Sequence, residues 1–374
     1  MKIVLAPDSF KGSLTSLEAT KVMKRAIQNL GKHDEIIEKP MADGGEGTVD
    51  ALIAASGGEK ITINCTGPDG KKITTYYAIM EKNTAVIEIA NIAGLPQVAK
   101  EKRNPDYTTT FGLGEAIKDA LDHGCKTLII GLGGSATNDA GLGMLIALGM
   151  KAYNKHGEEI GIFGRHLLEV AQINLDHLDS RLKEVIIKVA CDVENPLTGE
   201  MGASAIYGPQ KGASPEQVVA YDKAMERFSQ LFSNKRLSEI PGAGAAGGLG
   251  FAFLTLNAEL VSGAKLVGEI SQVEEAIQQA DIVITGEGQS DEQTLFGKAP
   301  GYIAELARKY HVPVILISGS LKGNLTPLLE KFSGCFSIIN HPVPIEECME
   351  RAEEFLFEQT RQVMNLVHGI RQSK

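Results

Sequence analysis

Carboxylates stand just past apolar runs at five places in this chain: Asp8 in APDSFKGS, Asp43 in PMADGGEGT, Asp139 in GLGGSATNDAG, Asp192 in ACDVENP, and Glu287 with Asp291 in ITGEGQSDEQT. One acidic residue after a strand is ordinarily a helix N-cap. Such loops, gathered at one edge of each sheet, concentrate negative charge, which is unfavourable unless a cation or a proton neutralises it. Magnesium suits such a place, because it takes a few carboxylates together with phosphate oxygens. A phosphate cradle is also present. GLGGSATNDAG, residues 131–141, follows the apolar KTLII and offers backbone N–H groups at a helix start. Gly133, Gly134, Ser135, Asn138 and Asp139 are its candidate contacts to phosphate or substrate. The stretch is neither GxxxxGK[ST] nor, with Ala136 in the last glycine place, GxGxxG. Asp139 has two readings that stay open: a cap on the next helix, or a hold on a substrate hydroxyl or a magnesium-bound water. Lys11 in DSFKGS and Lys298 in LFGKAPG are the candidate anion contacts, with Arg103 third, and Asp8 and Ser9 share the first of these loops.

These loops need elements to place them. KIVLA, EIIEK, KTLIIG, VIIKVAC, DIVITG and VPVILIS are short apolar runs without alternation, the pattern of strands buried on both faces of a parallel sheet. In open α/β sheets ligands bind beyond the carboxyl ends of strands, where all these loops lie. Between them run helical patterns. Thr15 and Glu18 fit a capping box with Gly31 as the stop; Ser214 and Pro215 fit an N-cap and first helical position; and a long amphipathic helix spans 345–367. Residues 61–93 carry three strand-like runs with turns at GPDG and EKNT, a local antiparallel piece. PGAGAAGGLGFAFL, 241–254, is nearly free of side chains and must let a packed helix or a ligand approach closely. The fold class expected is α/β with two α/β domains. Residues 1–62 plus 270–374 form one with a parallel sheet, and 63–269 are inserted as the second; a plain split near residue 125 is the alternative.

Bulk properties narrow the function. A chain of 374 residues exceeds the size at which single cores stop growing, so two domains are the default. A net charge of −10 argues against nucleic acid and anionic membranes as partners. Five scattered cysteines form neither a zinc pattern nor a disulfide framework, which suits a cytoplasmic protein. The apolar start before Pro7 is too short for a signal peptide, and no run approaches a membrane span. The histidines show no metal spacing, and Cys191 reads as a small core residue.

Taken in order, APDSFKGSL, PMADGGEGT, GLGGSATNDAG, ACDVENPLTG with YGPQKGA, PGAGAAGGLGF and ITGEGQSDEQTLFGKAPG closely resemble the type I glycerate kinase family of bacteria. The resemblance covers essentially the whole chain. It implies ATP-dependent phosphorylation of D-glycerate, with 2-phosphoglycerate favoured as product, two α/β domains of which one is Rossmann- or flavodoxin-like, and an active site in the cleft between them. Small molecules, D-glycerate and ATP, are then the partners, with Mg2+ as cofactor; monomer and homodimer both stay open. Phosphoryl transfer needs a metal, positive or N–H groups on the moving charge, and a base at the acceptor hydroxyl. Asp192 is the first choice of base and Asp43 the second. Glu287 and Asp291 are the metal candidates, and Lys11, with Lys298 as alternate, is the clamp on the phosphoryl group or the glycerate carboxylate. Three rivals are a small-molecule kinase of the galactokinase and mevalonate kinase type, suggested by GLGGSAT; a non-catalytic binding protein for small organic acids or nucleotides; and a nicotinamide oxidoreductase.

Overall fold

The computed structural model describes residues 1–372. The chain forms two compact units: Met1–Asp43 and Asp50–Gly57 with the chain from Gly263 on, and Gly44–Val49 with Gly58–Ser262. Strands β1 (Lys2–Leu5) and β2 (Glu35–Glu38) belong to the first. The second holds β3 (Glu59–Thr66), β4 (Lys72–Met80), β5 (Thr84–Glu88), β6 (Thr127–Gly131), the short pair β7 (Lys151–Tyr153) and β8 (Gln172–Asn174), then β9 (Ile186–Ala190) and β10 (Glu259–Val261). The chain returns to the first unit with β11 (Ile282–Thr285), β12 (Gln289–Ser290), β13 (Val314–Ser318), β14 (Ser320–Leu321) and β15 (Gly334–Ser337).

In the first unit the sheet order is β2-β1-β11-β13-β15 and every pairing is parallel. β11 and β13 are buried at every position, as continuous apolar runs require when helices cover both faces. Counted within the unit, the order is 2-1-3-4-5, the flavodoxin-like arrangement. Its direction reverses between β1 and β11, so the loops after those two strands diverge and leave a crevice at the carboxyl edge. The helix Ser16–Gln28 buries Ala19, Val22, Met23, Ala26 and Ile27. Its start is the expected box: Thr15 Oγ1 accepts from Glu18 N at 3.2 Å, and Glu18 Oε2 accepts from Thr15 N at 2.9 Å. Met23 and Ile27 join Leu5, Ile284, Ile317 and Phe355 in one apolar core.

The second unit carries a six-stranded mixed sheet, β10-β9-β6-β5-β4-β3. The β3–β4 and β4–β5 pairings are antiparallel, as residues 61–93 suggested, but this is the flank of a larger sheet, because β5 continues parallel into β6. β6 pairs with β9 through Gly131 opposite Ala190, so the loops leaving those strands share an edge. One sequence expectation needs correction. The C-terminal helix is two helices, Ile345–Glu350 and Ala352–Gln372, broken at Arg351, whose φ of −104° and ψ of 17° leave the helical region. No helix of the described residues is long and apolar enough to cross a membrane.

Candidate active site

In the first unit the loops after β1, β2 and β11 bring Asp8, Ser9, Lys11, Asp43 and Glu287 together. Asp8 is 6 % exposed and accepts the Ser9 N–H at 2.6 Å. Burial, then the charge of Asp43, with Glu287 adding, push its carboxyl up to about 8 against the opposing Ser9 N–H and Lys11. Lys11 Nζ meets Asp43 Oδ2 at 2.9 Å, but the lysine is exposed, so the pair contributes little to stability. Glu287 is firmly seated. Its Oε1 accepts from Ser290 Oγ at 3.0 Å and Thr294 Oγ1 at 2.6 Å, and its Oε2 faces Lys298 Nζ at 3.4 Å. Both expected lysines thus stand beside expected carboxylates. Asp291 caps the Glu292–Leu295 turn with one oxygen, Oδ1, which accepts from Gln293 N at 2.9 Å. Among the described residues no group of three or more His, Cys, Asp and Glu side chains gathers as metal ligands.

In the second unit the glycine-rich loop leaves β6 and is braced from several sides. Gly133 packs so closely on the segment at Gly44 and Gly45 that a Cβ there would lie 2.5 Å from the Gly45 Cα. Gly133 N donates to Gly44 O at 3.2 Å, and Leu95 N and Ala136 N tie Gly134 O and Ala93 O at 2.8 Å each. Gly134 is exposed while Ser135, Asn138 and Asp139 are buried. Asn138 Nδ2 donates to Ser204 Oγ at 3.0 Å, which leaves Asn138 Oδ1 buried without a partner, as is Thr137 Oγ1. Orphaned buried oxygens are rare in a settled fold and mark this loop as unusual. Asp139 is fully buried and takes Thr110 N at 3.0 Å, Thr110 Oγ1 at 2.8 Å, Gly141 N at 3.1 Å and Gly143 N at 3.3 Å. Burial pushes its carboxyl up, and these donors push back. Of its two readings, the geometry shows a cap, serving two helix starts at once. Asp192, beyond β9, is exposed at the edge that the glycine-rich loop shares.

Two further charged side chains escaped the sequence reading. Lys211, in YGPQKGA, is 2 % exposed, and its Nζ donates to Ser135 Oγ at 2.9 Å and Thr137 O at 2.6 Å. Burial pulls its ammonium down to about 7, against the charge of Asp139. Glu88 ends β5 at 1 % exposure and accepts the backbone N–H groups of Gly47, at 3.3 Å, and Val49, with Asn91 Nδ2 at 3.0 Å. Its one sequence signal is an acid inside the apolar run AVIEIAN; Lys211 had none beyond its small neighbours. The third cation, Arg103, turns inward, its Nε on Val98 O at 3.3 Å. The glycine stretch at 241–254 packs on the glycine-rich loop itself, where a Cβ on Gly247 would lie 2.2 Å from Thr137 O.

Residues 3–368 match the Glycerate kinase family. The chain is 44 % identical over 370 residues to a glycerate kinase of Bacillus subtilis, 97 % of each chain being covered. It is 42 % identical over 369 residues to a glycerate 2-kinase of Escherichia coli, again with 97 % of each covered. Among solved structures, that of a putative glycerate kinase 2 from Salmonella typhimurium superposes with a TM-score of 0.87 at 40 % identity, covering 100 % of this chain and 99 % of the other. The chain belongs to the glycerate kinase family.

As a kinase, it needs groups for an anionic donor and groups for an acceptor. The cluster of the first unit sets three carboxylates, Asp8, Asp43 and Glu287, beside two ammonium groups, Lys11 and Lys298. The glycine-rich loop of the second unit presents backbone donors, and Asp192 shares its edge. Family membership over nearly the whole chain also sets aside the galactokinase-type and nicotinamide readings of GLGGSAT.

Proposed function

We propose that the protein transfers the γ-phosphoryl group of ATP to a hydroxyl of D-glycerate with the help of Mg2+, giving 2-phosphoglycerate in preference to 3-phosphoglycerate. The observation that carries the ATP–magnesium part is the cluster of Asp8, Asp43 and Glu287 with Lys11 and Lys298. Asp43 and Glu287 both raise the proton affinity of the buried Asp8, the electrostatic setting in which a divalent cation is favoured. Glu287 and Asp291 are the proposed residues to hold Mg2+, with Asp8 as a further oxygen donor, and the ion would there supply positive charge against that of the phosphate. Lys11 clamps the transferring group or the glycerate carboxylate, and Lys298 stands in for it beside Glu287. Ser9 and the loop residues Gly133, Gly134, Ser135 and Asn138 contact phosphate or glycerate, and Asp192, with Asp43 as second choice, takes the hydroxyl proton. The glycerate oxygen then bonds to phosphorus as the bond to the ADP oxygen breaks. The 2-hydroxyl is favoured because the similar Escherichia coli protein is named a glycerate 2-kinase. The domain division at 1–62 plus 270–374 around 63–269 belongs to the same reading.

Incubation with ATP, D-glycerate and Mg2+ tests this by phosphorus NMR. The expected result is a 2-phosphoglycerate resonance that appears with ADP and is lost when magnesium is chelated. Accumulation of 3-phosphoglycerate instead overturns the regiochemistry, and binding of ATP and glycerate without ADP release overturns the catalysis.

A further inference from the structure

Lys211 raises a question the phosphoryl-transfer reading does not answer: why an ammonium is buried beneath the glycine-rich loop. It ends the turn Pro209–Lys211, and the next residue, Gly212, has φ +85° and no room for a side chain, since a Cβ there would lie 2.0 Å from Arg103 O. The chain is therefore packed down around the lysine. Removing an ammonium from water is costly, and a neutral donor would brace a carbonyl at lower cost. Lys211 does not satisfy the loop in general either, because Thr137 Oγ1 and Asn138 Oδ1 stay buried without partners. What it does is donate to Ser135 Oγ at 2.9 Å.

As an ammonium, Lys211 has donors only. In that form Ser135 Oγ accepts from it, so the serine's own proton is left to point at something else. Ser135 adjoins the exposed Gly134, whose backbone N–H makes no hydrogen bond of ordinary geometry among the described residues. We propose that Lys211 is a positioning residue that holds the Ser135 hydroxyl as a donor, completing a cradle of that O–H and the Gly134 N–H for an anionic oxygen of a substrate. This rests on the phosphoryl-transfer reading above. The oxygen belongs either to the glycerate carboxylate or to an ATP phosphate, and the experiment separates them.

The test is steady-state kinetics of Ser135→Ala, Lys211→Met, Lys211→Arg and the Ser135→Ala/Lys211→Met double variant, with KM and kcat measured for D-glycerate and for ATP, and folding checked by circular dichroism. Each of the first two is expected to raise the KM of one substrate about tenfold, the scale of one lost hydrogen bond to a charged group, with kcat changed less than threefold. The double variant should be no worse than the worse single one, because both remove the same donor. Lys211→Arg, which keeps a donor, should recover part of the loss. A raised glycerate KM assigns the cradle to the carboxylate, and a raised ATP KM assigns it to phosphate. Additive losses overturn the proposal. So does an unchanged KM in Ser135→Ala, whatever happens to the lysine variants, because a lysine that merely braced Thr137 O would leave that serine silent. Failure of the underlying reading is distinguishable: wild-type protein would then form no phosphoglycerate before any variant is made.

Discussion

At the scale of single residues, the distinction that matters is how deeply each carboxylate is buried. Asp139 is fully buried among four donors, whereas Asp192 is exposed beyond β9 and is the first choice for the group that takes the hydroxyl proton. Asp192→Asn should lower kcat by about 10²–10⁴, the range of a lost general base, while circular dichroism and ATP affinity stay near wild type; turnover within a few-fold of wild type would remove Asp192 from the role. Lys211 gives a pH prediction. Its ordinary value of 10.5 falls to about 7 in the fold. Between those values the unfolded chain holds a proton that the folded chain lacks, so this group makes stability rise with pH from 7 to 10.5, and adds no further change outside that window. The slope is at most about 1.4 kcal/mol per pH unit. Lys211→Met should lack it, which urea unfolding at pH 7, 8, 9 and 10 would show as converging or diverging curves; parallel curves would refute it. The places of the candidate residues at strand ends were legible because standing after an apolar run is a sequence property. Lys211 was not, because what buries it is Gly212 against the Arg103 carbonyl, a contact distant in sequence.

At the scale of elements, the runs KIVLA, EIIEK, KTLIIG, VIIKVAC, DIVITG and VPVILIS all became strands. Burial on both faces holds for β11 and β13, whereas the edge strand β2 has no buried residue, because it has a neighbour on one side only. β15 was not readable: GCFS has a glycine and no β-branched residue, and pairing with β13 makes it a strand. The break at Arg351 was hidden because apolar periodicity runs on across it. The joint between the helices Phe111–Asp122 and Leu142–Ala147 is Asp139, which takes three backbone N–H groups and the Thr110 hydroxyl. Asp139→Ala would leave those buried donors unpaired. With a cost of about 1–3 kcal/mol for each unsatisfied group and partial relaxation, a loss of roughly 3–5 kcal/mol is expected. A urea midpoint near wild type would mean that the helices have other anchors.

At the scale of the whole molecule, a net charge of −10 faces substrates that are themselves anions. A basic cleft would attract them, and screening would then slow their capture. Here the two candidate clamps are partly neutralised where they stand, Lys11 by Asp43 at 2.9 Å and Lys298 by Glu287 at 3.4 Å, so little positive field reaches outward from them. With those two lysines paired, the net charge of −10 predicts a repulsive field on an approaching glycerate. Salt shortens its reach, from about 30 Å at 0.01 M to about 8 Å at 0.15 M. Raising potassium chloride over that range, with ATP and magnesium saturating, should leave kcat/KM for D-glycerate unchanged or raise it. A fall of more than threefold would show instead that a positive potential guides the substrate. The acidic surface would then be bystander charge, and the search for the guiding cation would begin at lysines other than Lys11 and Lys298.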